Sequence, residues 1–297
     1  MAARSPTEPV VFSPLKSAEL IGNMLIKLGK IDSTNISRIV SHQEQARLPF
    51  GESAIALGLI TRDDLLQVLA AQFEYPCQIA EPVSRFPGLV TLSEPFGGEA
   101  ENYRALRSKL MLKSVQTEDK MLAIVPVMNA ESATEIAANL AVSYAQSGLR
   151  TLLVDSNMRT PSAHKLFEVA GNPGLSDVLI GRTPLRTAIV PIEEIPSLSL
   201  LSAGLPPPNP QELLIKPLYR SFVQTVSHSY DMVILTTAAA ARFADAAIVA
   251  MHANATVLTL NRDADSANNA GEAKRLLLEC QARILGAVLC GANGRFS

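Results

Sequence analysis

Three short stretches carry the side chains through which this chain could handle a phosphate. The first, Val127 to Thr134 (VMNAESAT), lies between an apolar run, Met121 to Val127, and a helix-forming run, AANLAVSYAQ. A strand, a small-residue loop over Met128 to Ala133 and a helix with Thr134 and Glu135 in its first turn is the element order of a phosphate-binding loop. There, backbone N–H groups at a helix N-terminus cradle phosphate oxygens. Laid on G-x-x-x-x-G-K-[ST], the window puts Ser132 at the second glycine, Ala133 at the lysine and Thr134 at the hydroxyl that meets magnesium. Ala130 and Ser132 stand where φ-permissive glycines would let backbone approach phosphate. Ala133 carries no ammonium, so Thr134 alone survives of the motif's side chains.

The second stretch is VDSNMRTP, with Asp155 at the end of an apolar run and Asn157, a neutral relative, two residues on; the third is VILTTAAA, where Thr236 occupies the place of a magnesium-holding aspartate. Magnesium takes hard oxygen ligands, usually one or two carboxylates with bound phosphates. Thr134 and Asp155 are therefore the metal candidates, and a weak pair. Phosphoryl transfer depends on positive charge placed around the moving group, and losing one stabilising donor costs about a hundredfold to a thousandfold in rate. With the lysine and carboxylates missing together, Asp155, Asn157 and Thr236 are vestiges of a catalytic set. The expectation is that no cofactor is bound.

These stretches need a scaffold that brings strand ends together. From Met121 onward, apolar β-rich runs (MLAIVPV, TLLVDSN, LSLLSAG, DMVILTT, ATVLTLN, ILGAVLC) alternate with helical ones, among them QELLIKPLYRSFVQTVSH and DSANNAGEAKRLLLECQ. Such alternation predicts α/β architecture, a P-loop NTPase-like, doubly wound and mostly parallel sheet covered on both faces, with ligands at the carboxyl ends of its strands. Ahead of it stands an internal repeat. IGNMLIKLGKIDSTNISRIVSHQ lies over FGESAIALGLITRDDLLQVLAAQ, matching Gly22 to Gly51, Gly29 to Gly58, Ile31 to Ile60 and Gln43 to Gln72. Each copy predicts a helical hairpin, stopped by its glycine and restarted at Asp32 or Thr61. The expected division is a tail over 1–16, a small all-α domain over 17–80, a Pro- and Gly-rich linker over 81–98 and the sheet domain over 99–297.

Composition removes other classes. A net charge of −2 without Lys/Arg runs leaves no footprint for nucleic acid. No run reaches bilayer length and the N-terminus lacks a signal peptide's apolar core, so the expectation is a soluble cytoplasmic protein with no membrane span of its own. Cys77, Cys280 and Cys290 fit reduced thiols. His42, His164, His228 and His252 lack ligand spacing, and no G-x-S-x-G elbow occurs. Pro206 to Pro210 ends a loop and starts a helix. Asp245 is expected as an acid favoured by a helix N-terminus. Glu101, Arg104 and Arg107, three residues apart, share one helix face.

Two resemblances add to this. The N-terminal repeat resembles the small helical domain of type II secretion ATPases, which also precedes certain exopolysaccharide kinases. Some relatives of that module bind cyclic di-GMP through an R-L-G at the head of each copy; here the heads are Leu20-Ile21-Gly22 and Pro49-Phe50-Gly51, without the arginine. From Glu101 to about Leu289 the chain resembles the cytoplasmic bacterial tyrosine kinases that control exopolysaccharide chain length. ENYRALR, IAANLAVSYAQSGLRTLLVDSNMRTPSAHKLF, GNPGLSDVLIGRTPL, LSLLSAGLPPPNPQELL, YDMVIL and Asp245-Ala246 stand in order. The resemblance implies that Glu101, Arg104 and Arg107 mediate a homo-oligomer or mixed ring. It also implies a membrane polysaccharide co-polymerase or chain-length determinant as partner, holding the chain at the inner membrane. All three nucleotide motifs are degraded, and the family's tyrosine-rich tail is absent from LCGANGRFS. The expected role is accordingly a pseudokinase scaffold. The alternatives are an active tyrosine kinase using ATP and Mg, with Arg159 as a compensating cation, and a cyclic di-GMP-responsive module.

Overall fold

The computed structural model describes residues 14–72, 86, 88–114 and 120–291. Two compact units divide the chain at residues 1–80 and 81–297. In the first, α1 (Pro14–Lys27), α2 (Ser33–Ala46), α3 (Phe50–Ala56) and α4 (Arg62–Gln72) form two hairpins. Gly29 and Gly58 follow α1 and α3 at φ 67° and 66°, left-handed backbone that glycine enters without strain. Asp32 caps α2 by accepting from the Thr34 and Asn35 amides. Thr61 and Asp64 cap α4 reciprocally, the Thr61 amide donating to Asp64 Oδ2 at 2.8 Å and the Asp64 amide to Thr61 Oγ1 at 3.1 Å. The matched positions Leu25 and Ala54, and Ile39 and Val68, are all fully buried. α1 meets α4 and α2 meets α3, so each hairpin covers the other's apolar face. The tail expected to reach Lys16 gives way to α1 at Pro14; residues 1–13 lie outside the described residues, as does Cys77.

The second unit runs α5 (Val90–Ser93), α6 (Gly98–Ser114), β1 (Met121–Pro126), α7 (Ala130–Gln146), β2 (Thr151–Val154), α8 (Ala163–Leu166), α9 (Leu175–Leu179), α10 (Leu185–Ala188), β3 (Ile189–Pro191), β4 (Leu198–Leu201), α11 (Pro210–Leu214), α12 (Pro217–Ser229), β5 (Met232–Thr236), α13 (Asp245–His252), β6 (Ala255–Asn261), α14 (Ala267–Glu279) and β7 (Ile284–Cys290). Strand order is β3-β4-β2-β5-β1-β6-β7, parallel throughout except for the edge strand β3, which pairs antiparallel with β4. Both faces of the central strands are buried, with period two. Leu122 and Ile124 of β1 pack in the cluster that contains α7, whereas Ala123 and Val125 pack with α13 and α14. The expected doubly wound α/β sheet is the observed one. The helical run from Gln211 to His228 is broken at Pro217, which starts α12 because a proline nitrogen can begin a helix but cannot continue one.

The linker expected over 81–98 is corrected within its described part. Phe86, Leu89 and Leu92 are buried in the core of the sheet unit. The Thr91 amide donates to Asn139 Oδ1 at 3.0 Å, and Gln146 Nε2 donates to the Thr91 carbonyl at 3.0 Å. α5 is thereby fastened to α7. Prolines and glycines mask this short apolar run in the sequence; residues 81–85 and 87 lie outside the described residues.

The repeat yields a paired test. A Cβ on Gly22 would make ordinary contact with Phe50 at 3.4 Å, whereas one on Gly51 would overlap the Leu65 methyls, one of them 2.7 Å away. Gly22→Ala is expected to be neutral or to gain up to about 1 kcal/mol from helix propensity, and Gly51→Ala to lose about 1–3 kcal/mol from overpacking. Hydrogen exchange of amides 21–72 in the full chain reads both.

Candidate functional site

A cleft of about 800 Å³ lies past the carboxyl ends of β1, β2 and β5, lined by the segments that follow those strands. At its β1 side the expected loop is largely absent. Helix α7 begins at Ala130, so only Val127 to Asn129 separate strand from helix. Asn129 is the N-cap, and its Oδ1 accepts from the Glu131 amide at 3.1 Å and the Ser132 amide at 3.2 Å. Those are amides of the kind a phosphate would take. Ser132, Ala133 and Thr134 are buried inside the helix rather than in a loop. Of the proposed phosphate-loop residues, only Ala130 lines the cleft. Thr134 Oγ1 donates to the Ala130 carbonyl at 2.9 Å and is fully buried within the first turns of α7, away from the cleft lining.

Beneath the cleft, β2 and β5 are neighbours in a register that pairs Val154 with Leu235, which brings Asp155 beside Thr236. Asp155 is fully buried. Its Oδ1 accepts from Thr236 Oγ1 at 2.8 Å and from the Asn157 amide at 3.2 Å; its Oδ2 accepts from the Ser162 and Ala163 amides, each at 3.1 Å. Two acceptor sites per oxygen are thus filled. Burial pushes the carboxyl above its ordinary range, and the donors, Thr236 first, pull back against it. Asn157 is also fully buried and bonds to Thr160, its Nδ2 donating to the Thr160 carbonyl at 3.1 Å.

Arg159, the compensating cation of the alternative reading, is committed elsewhere. Its Nε and Nη2 donate to Asp245 at 2.8 and 3.0 Å, and its guanidinium lies 4.1 Å from the centre of the Phe243 ring. Asp245 is 3% exposed as a side chain; it is a buried ion-pair partner, more than the helix-terminal acid expected. Lys165 and Arg242 also line the cleft, both exposed, and neither is ion-paired among the described residues. Among the described residues, Glu131 is the one acid in the lining. On α6, Glu101 pairs with Arg104 Nε at 2.7 Å, Arg104 Nη1 donates to the Pro95 carbonyl at 2.6 Å, and Arg107 Nη1 donates to the Ser143 carbonyl of α7. Arg104 and Arg107 tie α6 to the segment before it and to α7, and Glu101 remains exposed.

Around the ends of β1, β2 and β5, Asn129 caps two of the helix amides, no lysine stands in the loop, and the four acceptor sites of Asp155 are taken by Thr236 Oγ1 and three backbone amides. Among the described residues, no group of three or more His, Cys, Asp or Glu side chains is placed to hold a metal ion, and no helix is long and apolar enough to cross a membrane. Sequence spacing missed Asn129 as a cap, although an asparagine directly before a helix-forming run is an N-cap signal. It also missed the Arg159–Asp245 pair, which has no local signal.

No family model matches the chain. It is 30% identical over 211 residues to the putative tyrosine-protein kinase CapB of Staphylococcus aureus, covering 71% of this chain and 92% of that protein. It is 32% identical over 203 residues to the tyrosine-protein kinase YwqD of Bacillus subtilis, covering 68% and 85%. Among solved structures, the chimerical protein CapA2B2 superposes with a TM-score of 0.66 at 29% identity, over 77% of this chain and 98% of that one.

The closure around Asp155 is testable by removing one donor. Thr236→Val is expected to cost about 1–3 kcal/mol, the range for a lost bond to a buried charged acceptor. A carboxyl held above its ordinary range contributes stability that is full at acid pH and fades as the pH rises through its folded value. Removing the donor raises that value further. Urea denaturation over a series of pH values should therefore show a Thr236→Val penalty that grows as the pH rises through the folded value, and a penalty that shrinks as the pH rises would contradict the assignment.

Proposed function

The chain belongs to the family of bacterial tyrosine-protein kinases, and from that premise we propose that it is a catalytically inactive member. In this reading it is a cytoplasmic, oligomer-forming scaffold or regulator in exopolysaccharide biosynthesis and chain-length control. The observation that carries the reading is the Asp155 carboxylate, whose four acceptor sites are filled by Thr236 Oγ1 and three backbone amides. A second acid in place of Thr236 would repel Asp155 and leave both dependent on a cation; a hydroxyl there binds Asp155 directly. Asn129 supports the same reading from the other side, because its side chain stands at the amides that would receive a phosphate.

The scaffold acts by contact. Its partners in this proposal are further copies of the chain or an intact paralogue, through the α6 face that carries Glu101, and a membrane polysaccharide co-polymerase that holds it at the inner membrane. The N-terminal hairpin unit is the docking domain, related to that of secretion ATPases. The active-kinase alternative draws on the cleft that persists at the strand ends, but the charge of its compensating cation is already offset by the buried carboxylate of Asp245. The cyclic di-GMP alternative has less support, since Gly22 sits against Phe50 and Ile36, and Gly51 against Leu65, as packing positions.

Isothermal titration of the full chain with Mg–ATP is expected to show no micromolar binding. Incubation with γ-labelled ATP is expected to leave tyrosines unlabelled. Labelling that disappears in Asp155→Asn would overturn the reading in favour of an active kinase.

A further inference from the structure

Asn129 and Asp155 close the nucleotide route, yet the cleft above them keeps its volume and three cations: Arg159, Lys165 and Arg242. Arg159 is pre-set rather than mobile. A buried carboxylate grips two of its nitrogens and Phe243 lies against the guanidinium plane, which leaves Nη1 without a partner among the described residues. A fixed guanidinium is well matched to phosphate oxygens, because little side-chain freedom remains to be lost on binding. Asp245 offsets the charge of Arg159, so the uncompensated charge resides on Lys165 and Arg242, opposed in the lining, among the described residues, by Glu131 alone.

Met128, Pro161 and Phe243 supply apolar surface in the same lining, beside the polar Asn129, Asn157, Thr160 and Ser162. From this juxtaposition we propose that the cleft binds a phosphotyrosine side chain of a partner protein without metal, its phosphate on Arg242, Lys165 and Arg159 and its ring against Phe243. The inference rests on the reading of the chain as a non-catalytic kinase relative, and it gives that scaffold a ligand. A phosphomonoester carries about 1.5–2 negative charges at neutral pH and pairs directly with guanidinium and ammonium groups, so neither the helix amides nor a cation at Asp155 is required. A phosphoserine carries no ring to set against Phe243. Nucleoside triphosphate, by contrast, needs the amides that Asn129 already occupies.

Fluorescence anisotropy on the full chain tests this, with a labelled peptide bearing one phosphotyrosine between uncharged residues, and its tyrosine and phosphoserine counterparts. Phosphotyrosine is expected to bind at least tenfold more tightly than either counterpart, to be indifferent to EDTA and to weaken as salt is raised. Arg242→Gln and Lys165→Gln, both at exposed positions, are each expected to weaken it about tenfold while circular dichroism stays unchanged. Equal affinity for the three peptides, loss of binding in EDTA, or wild-type affinity in both variants would overturn the proposal. Kinase assays on the same samples separate the two levels. A failure to bind without tyrosine labelling removes this inference alone, whereas labelling removes the reading on which it stands.

Discussion

A buried carboxylate must find donors, and the rest of the strand-end structure depends on where Asp155 finds them. The order β2-β5-β1 places the ends of β2 and β5 side by side, so whatever follows Val154 meets whatever follows Leu235. With a threonine in the second position, the two ends are joined by a hydrogen bond, and the turn into α8 folds back to supply two further amides. The bond that closes the site also fastens the sheet to the segment beyond it. Local stability and ligand capacity draw on the same lone pairs here, and the fold has taken them.

The same exchange occurs at the head of α7. This helix is buried along most of its length, packs against α5 and α6 and carries six alanines among its 17 residues. Its polar residues serve packing: Asn139 and Gln146 anchor α5, and the Ser143 carbonyl receives Arg107. Its N-terminus is satisfied by Asn129 instead of by a ligand. A helix end closed by its own cap has less to gain from an anion, so the cleft's remaining attraction for negative charge resides in side chains, Arg242 and Lys165 above all.

Much of this was legible in the sequence, and the exceptions have physical causes. Six strands and the doubly wound class follow from apolar runs separated by helical ones, because strands buried on both faces are continuously apolar. The hairpin repeat follows from glycine spacing, and Gly29 and Gly58 adopt nearly the same backbone angle. The short edge strand β3 escaped, since Ile189–Pro191 is too brief for a period to show. The start of α7 was misplaced because the phosphate-loop frame assigned Met128 to Ala133 to a loop, overriding the cap signal of Asn129. Asp155 with Thr236 and Arg159 with Asp245 are contacts between distant segments of the chain; only strand order and register bring the first pair together, and nothing local announces the second.

The central claim is that the Asp155 carboxylate is closed to a cation by its own donors. Electron paramagnetic resonance of Mn(II) with ADP, titrated against the full chain, tests it most directly. The account predicts a spectrum indistinguishable from that of Mn(II) and ADP without protein. A protein-bound Mn(II) signal that disappears in Asp155→Asn would contradict it.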